Sequence, residues 1–130
     1  MRVWVEPKAP LNVVITGGTR GIGRALVREF LAAGDNVFIA ARSQRTVRDV
    51  AMELAPECAR QRQISGVDCD VSKPSSVTRL ASMAQDHFED GTIDVWINNA
   101  GASDLLPPTH LLALLRGYEH QQRQHSSMGD

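Results

Sequence analysis

The chain has 130 residues, 42% of them hydrophobic and 22% charged, and a net charge of −1, the composition of one ordinary globular domain. That balance gives no electrostatic basis for binding nucleic acid or an anionic membrane, and no apolar run approaches the roughly 20 residues of a membrane span. Cys58 and Cys69 show neither CxxC nor metal-ligand spacing, so reduced thiols are the default.

Residues 1–10 (MRVWVEPKAP) carry the features of neither a signal peptide nor a transit peptide and read as an extension. Residues 11–16 (LNVVIT) are a continuous apolar run that stops at Gly17, as expected of a buried parallel strand. From Ile22, the apolar residues Ile22, Ala25, Leu26 and Phe30 recur at helical spacing, and Gly34 supplies the stop. Residues 37–41 form a second apolar run. Ser43 then suits the N-cap of a helix carrying Val47, Val50, Ala51 and Leu54, which Pro56 closes. A weaker third strand lies over residues 63–67. Pro74 fits the first turn of a helix with Val77, Leu80, Ala81, Ala84 and Phe88 along one face. Residues 93–98 make a fourth strand that runs into NNAG. Strands alternating with helices of this length predict βαβ units: an α/β, Rossmann-like parallel sheet with flanking helices.

After Gly101 the pattern breaks. One apolar run (111–115) is followed by a Gln/His-rich end with no further strand, a composition that is usually disordered. The histidines His87, His110, His120 and His125 form no metal-ligand constellation with the cysteines.

Gly17, Gly21 and Gly23 lie between a strand and a helix, the context of a phosphate-binding loop. Glycine allows backbone angles closed to other residues and lets a ligand approach the main chain. The helix beginning near Ile22 offers unpaired N–H groups and a partial positive charge, for which a pyrophosphate is a natural guest. The spacing is GxxxGxG rather than GxGxxG, and no Lys follows the last glycine as in a Walker loop. A connector that merely turns the chain is the competing reading of the same glycines.

With TGGTRGIG at residues 16–23 and NNAG at 98–101, the chain resembles the short-chain dehydrogenase/reductase family over residues 12–101. The resemblance implies that Gly17, Thr19, Arg20, Gly21, Ile22 and Gly23 hold the dinucleotide's phosphates, and that Asn98, Ala100 and Gly101 lie beside the cofactor. It also implies a sheet of about seven strands in the complete fold, with the cofactor crevice between strands 1 and 4. This chain would supply strands in the order 3-2-1-4, so its fourth strand becomes an edge, open to association with a second copy or a full-length relative. The division that follows is an extension (1–10), an NAD(P)-binding unit (11–103) and an atypical tail (104–130).

NAD-preferring folds place a carboxylate at the end of the second strand to bind the ribose hydroxyls. Here that place is taken by Ala41, followed by Arg42 and Ser43, while Arg20 sits within the glycine loop. Two guanidiniums and no carboxylate suit a 2′-phosphate, so NADP(H) is expected over NAD(H). Ordinary solvated arginines are the alternative. Asp70 and Val71, in CDVS, resemble the family's Asp–Val pair at the adenine; a plain loop carboxylate is the other reading of Asp70.

Hydride transfer in the family relies on a YxxxK pair with an upstream Ser. The single tyrosine is Tyr118, Gln122 stands four residues later, and both lysines, Lys8 and Lys73, lie far upstream. No catalytic residue is carried over, and the chain alone is expected to be inactive. A truncated gene model, a retained intron and a splice variant all fit the break after NNAG. Within the family, residues 12–43 and IDVWINNAG are most similar to the chlorophyll b reductases of plants and algae. That likeness implies reduction of a 7-formyl group during chlorophyll breakdown in a chloroplast. A generic NADP-dependent carbonyl or 3-oxoacyl-carrier-protein reductase, and a non-catalytic dinucleotide- or partner-binding module, are the other readings.

Overall fold

The computed structural model describes residues 10–100. Gly101, the run at 111–115, Tyr118, the rest of the tail and residues 1–9 of the extension lie outside the described residues. The elements run β1 (Asn12–Thr16), α1 (Gly21–Ala32), β2 (Asn36–Ala41), α2 (Gln44–Leu54), β3 (Ile64–Asp68), α3 (Pro74–His87) and β4 (Val95–Asn98), with one 3-10 turn (Ala55–Glu57) after α2. All pairings are parallel and the sheet order is β3-β2-β1-β4, as the resemblance implied.

β1 and most of β2 are buried because helices cover both faces of the sheet, which is why their sequences show no polar alternation. Val13, Ile15, Val37 and Ile39 pack with Leu26, Val27 and Phe30 of α1 and Val47, Val50 and Leu54 of α2. Val14, Phe38 and Ala40 face the other way, onto Leu80, Ala84 and Phe88 around α3. Each such fully buried aliphatic or aromatic side chain contributes about 1.5–3 kcal/mol.

Local signals set the element ends. At Gly34 (φ 88°) α1 stops in a left-handed turn, with the Gly34 amide donating to Leu31 and the Asp35 amide to Phe30. Ser43 Oγ accepts from the Thr46 amide (3.3 Å) and caps α2. Pro74 opens α3. β1 starts one residue after its apolar run, and two further strands also start later than expected. Gln63 precedes β3 with its side chain buried, donating to the carbonyls of Leu31 and Asp35 and accepting from the Ala59 and Arg60 amides. β4 begins at Val95, because Asp94 turns its carboxylate back to the Asn12 amide (2.7 Å).

The two sides of the sheet end differently. Beyond β3, the Asp68 amide donates to Gln44 Oε1 (2.9 Å) and its carbonyl accepts from Arg79 Nη1 (3.1 Å). β4, with Val95, Trp96 and Ile97 half-buried, is the outermost strand on the other side among the described residues.

Candidate functional site

A cleft of about 910 Å³ opens at the C-terminal ends of the strands, lined by Gly17, Thr19, Arg20, Gly21 and Ile22, by Ala40, Ala41, Arg42, Ser43 and Thr46, and by Cys69, Val71, Asn99 and Ala100. Its size falls within the ~300–1,000 Å³ of small-molecule sites. The place, where the chain runs outward from β1 through β2 to β3 and then crosses back to β4 on the other side of β1, is where open parallel sheets hold ligands.

The loop from β1 into α1 is built by contacts that exclude side chains. Gly17 has φ 70° and Gly21 φ 58°, both left-handed. At Gly23 an added Cβ would stand 1.9 Å from the Gly17 oxygen and 2.6 Å from Asn99 Nδ2. The first turn of α1 therefore sits directly against the loop it follows. Asn99 Nδ2 donates to the Gly17 oxygen (3.0 Å), and the Gly17 amide donates to Ala40 of β2 (2.8 Å). Thr16 Oγ1 accepts from the amides of Asn99 (3.1 Å) and Ala100 (3.3 Å), joining the end of β4 to the end of β1.

Unlike α2, α1 has no side-chain cap: Arg20 precedes it in extended conformation and contributes no capping bond. Its N-terminal amides are left to face the cleft with the positive end of the helix dipole. Arg20 and Arg42 stand exposed on the cleft wall without an ion-pair partner among the described residues, and Ala41 brings no carboxylate. A bound anion is what this arrangement favours.

Ten of the expected residues fall on or beside this wall: Gly17, Thr19, Arg20, Gly21, Ile22, Arg42, Ser43, Val71 and Ala100 line it, and Gly23 lies immediately beneath. Val71 is an exposed apolar side chain at its rim. Asp70 lies between two lining residues, Cys69 and Val71, with Oδ1 accepting from the Ser72 amide (3.0 Å) and hydroxyl (2.6 Å). Those two bonds hold its carboxyl below the ordinary carboxylate range. Asn98 is exposed, and its Oδ1 accepts from Trp96 Nε1 (2.8 Å). Its neighbour Asn99 is the buried asparagine that reaches the glycine loop. Thr16, Thr46, Cys69 and Asn99 are additions to the expected set. Two-residue alternation along β4, which puts Trp96 and Asn98 on one face and Asn99 on the other, was the available signal for the last.

A family model described as short chain dehydrogenase matches residues 11–114. The chlorophyll(ide) b reductase NOL, chloroplastic, of Oryza sativa subsp. japonica is 46% identical over 94 residues, covering 72% of this chain and 26% of the relative. Its Arabidopsis thaliana counterpart is 44% identical over 99 residues, 75% of this chain and 27% of the relative. The chain thus spans little more than a quarter of either, and 21% of a further rice relative, NYC1. Among solved structures, an actinorhodin polyketide ketoreductase with NADPH superposes with a TM-score of 0.61 at 27% identity, over 72% of this chain and 34% of that one.

Proposed function

The chain belongs to the short-chain dehydrogenase/reductase family, and from that premise we propose that it is the NADP(H)-binding part of a reductase acting on the formyl group of chlorophyll(ide) b in the chloroplast. The observation that carries the cofactor reading is the cleft itself: a glycine cradle, a helix N-terminus without a side-chain cap, and the guanidiniums of Arg20 and Arg42 without an ion pair among the described residues. The cradle fits a pyrophosphate because Gly23 leaves no room for a side chain and Gly17 and Gly21 hold left-handed backbone that turns the chain beneath it. Arg42 and Arg20 fit a 2′-phosphate, Ser43 keeps a hydroxyl proton to donate beside them, and Val71 covers the adenine side. The solved ketoreductase with NADPH supports the same cofactor class. The substrate and compartment are carried by likeness to the two NOL reductases.

When bound, the nicotinamide supplies a hydride. The residues described here hold and orient the dinucleotide, and the 130 residues contain no YxxxK pair to move the accompanying proton. Purified chain is therefore expected to bind NADPH and to oxidise none of it in the presence of a carbonyl substrate. Turnover that survives Tyr118→Phe would sink that reading.

Titration calorimetry with NADPH and NADH tests the cofactor. Arg42→Ala is expected to weaken NADPH about tenfold, the value of one charge-assisted hydrogen bond at an exposed site, and to change NADH by less than about twofold. Equal losses for the two cofactors would remove the 2′-phosphate from Arg42.

A further inference from the structure

The first turn of α2 forms one corner of the cleft, and most of its side chains are committed elsewhere. Gln44 reaches across to the Asp68 amide (2.9 Å), and Val47 is buried in the core between the helices and the sheet. Arg45 is exposed and lines no part of the cleft. Thr46 differs from all three. It lines the cleft together with Arg42 and Ser43, and its hydroxyl has no hydrogen-bond partner among the described residues. We propose that Thr46 is a specificity-determining residue, whose hydroxyl donates to the 2′-phosphate of NADP(H) and so separates that cofactor from NAD(H). This role rests on the NADP(H) reading of the cleft and adds a residue to it.

The uncommitted hydroxyl follows from position. A threonine inside a helix can return its proton to the carbonyl one turn back, as Thr78 of α3 does to Pro74 (3.1 Å). For Thr46 the residue four positions back is Arg42, which lies before the cap and outside the helix. The main chain of Thr46 is already engaged, since its amide donates to Ser43 Oγ (3.3 Å). Ser43 and Thr46, three residues apart and joined by that bond, therefore bring two hydroxyls to the same corner of the cleft.

The chemistry of the corner suits a phosphate better than a hydroxyl. An ionised phosphate monoester presents three strong acceptor oxygens. Arg42, Ser43 and Thr46 supply donors to match, one charged and two neutral. A ribose 2′-hydroxyl offers one uncharged oxygen, which water serves as well at an exposed position. A hydrogen bond to an ionised acceptor is roughly twice as strong as one between neutral groups. Thr46 accordingly acts on the difference between the two cofactors, which is what specificity measures.

Titration calorimetry of the full chain with NADPH and NADH tests the role. Thr46→Val removes the hydroxyl at nearly constant shape, and Thr46→Ser keeps it. Thr46→Val is expected to weaken NADPH about fivefold and NADH by less than about twofold, and Thr46→Ser to retain the parent's affinity for NADPH. Both variants should unfold at the parent's urea concentration, because the capping bond uses the main-chain amide and not the hydroxyl. Arg42→Ala, measured alongside, lets the two readings fail separately. With Arg42→Ala still selective against NADPH, any of four results overturns the role of Thr46: unchanged NADPH affinity in Thr46→Val, equal losses for the two cofactors, a Thr46→Ser as weak as Thr46→Val, or a Thr46→Val that unfolds at lower urea. Equal losses in Arg42→Ala, or a parent chain that binds NADPH no more tightly than NADH, overturn the cofactor reading and the role of Thr46 with it.

Discussion

Replacing Gly23 with Ala tests the glycine cradle most directly, because opposing effects can be weighed from the structure. Ala in a helix is ordinarily favoured over Gly by roughly 0.5–1 kcal/mol. Here the new methyl would lie 1.9 Å from the Gly17 oxygen and 2.6 Å from Asn99 Nδ2, both inside the 3.0 Å that Cβ contacts essentially never breach. The Gly17 oxygen is main chain, fixed on either side by the Gly17 amide bond to Ala40 and the Asn99 bond to that oxygen, so relief requires the loop to move. Overpacking of this kind costs about 1–3 kcal/mol, and losing the Asn99–Gly17 bond adds about 0.5–1.5 kcal/mol. After subtracting the helix gain, destabilisation of about 0.5–4 kcal/mol remains, which lowers Tm by about 4–8 °C per kcal/mol for a domain of this size. Urea unfolding gives the stability and NADPH titration the binding; both should worsen in the same variant. Gly21→Ala separates geometry from crowding, since nothing lies within 4 Å of its added Cβ and only the left-handed φ of 58° opposes it, at about 1–2 kcal/mol. A Gly23→Ala protein as stable as the parent, with undiminished NADPH affinity, would show that the loop and helix are not packed as described.

The junction between β1 and β4 should be sensitive to one hydroxyl. Thr16→Val keeps the shape but leaves the Asn99 and Ala100 amides without their acceptor, for an expected loss of about 2 kcal/mol read by urea unfolding; a neutral substitution would mean these amides find another partner. His87 gives a pH signature of the same sign as that of a carboxylate held below its ordinary range, such as Asp70, but nearer to neutral pH. Its folded-state affinity for protons is lowered, so its contribution is complete above the ordinary imidazole value near 6.5 and is lost as pH falls below it. Thermal melts at pH 7.5, 6.5 and 5.5 should therefore converge between parent and His87→Gln on the acid side, and a constant difference would count against the linkage.

The elements were legible because burial imposes a period on the chain: continuous apolar runs for strands covered on both faces, and every third or fourth residue for helices with one covered face. Their ends were legible where one residue type dominates the local physics, as at Gly34, Ser43 and Pro74. The misjudged boundaries, before β3 and β4, are positions where buried or half-buried polar side chains, Gln63 and Asp94, satisfy main-chain groups from elsewhere in the fold. The site follows the same division. The glycines and Arg20 of the first loop, and Arg42 after β2, announce themselves by type, whereas Thr16 looks like one more β-branched strand residue until its hydroxyl meets β4. Choosing between Asn98 and Asn99 depends on which face of β4 is covered, a tertiary fact. At Asp70, Ser72 two residues on donates twice to one carboxylate oxygen, Oδ1, a local contact that residue type alone does not announce.

The treatment of Asp68 makes the sheet directional. Its amide and carbonyl are the groups a neighbouring strand would use, and Gln44 and Arg79 already occupy both. A fifth strand laid alongside β3 would have to break those two bonds and the Arg79–Asp68 ion pair before forming its own ladder. A peptide graft or fusion meant to lengthen this fold is therefore disfavoured at β3, and Gln44 and Arg79 are the two side chains to remove before trying it there.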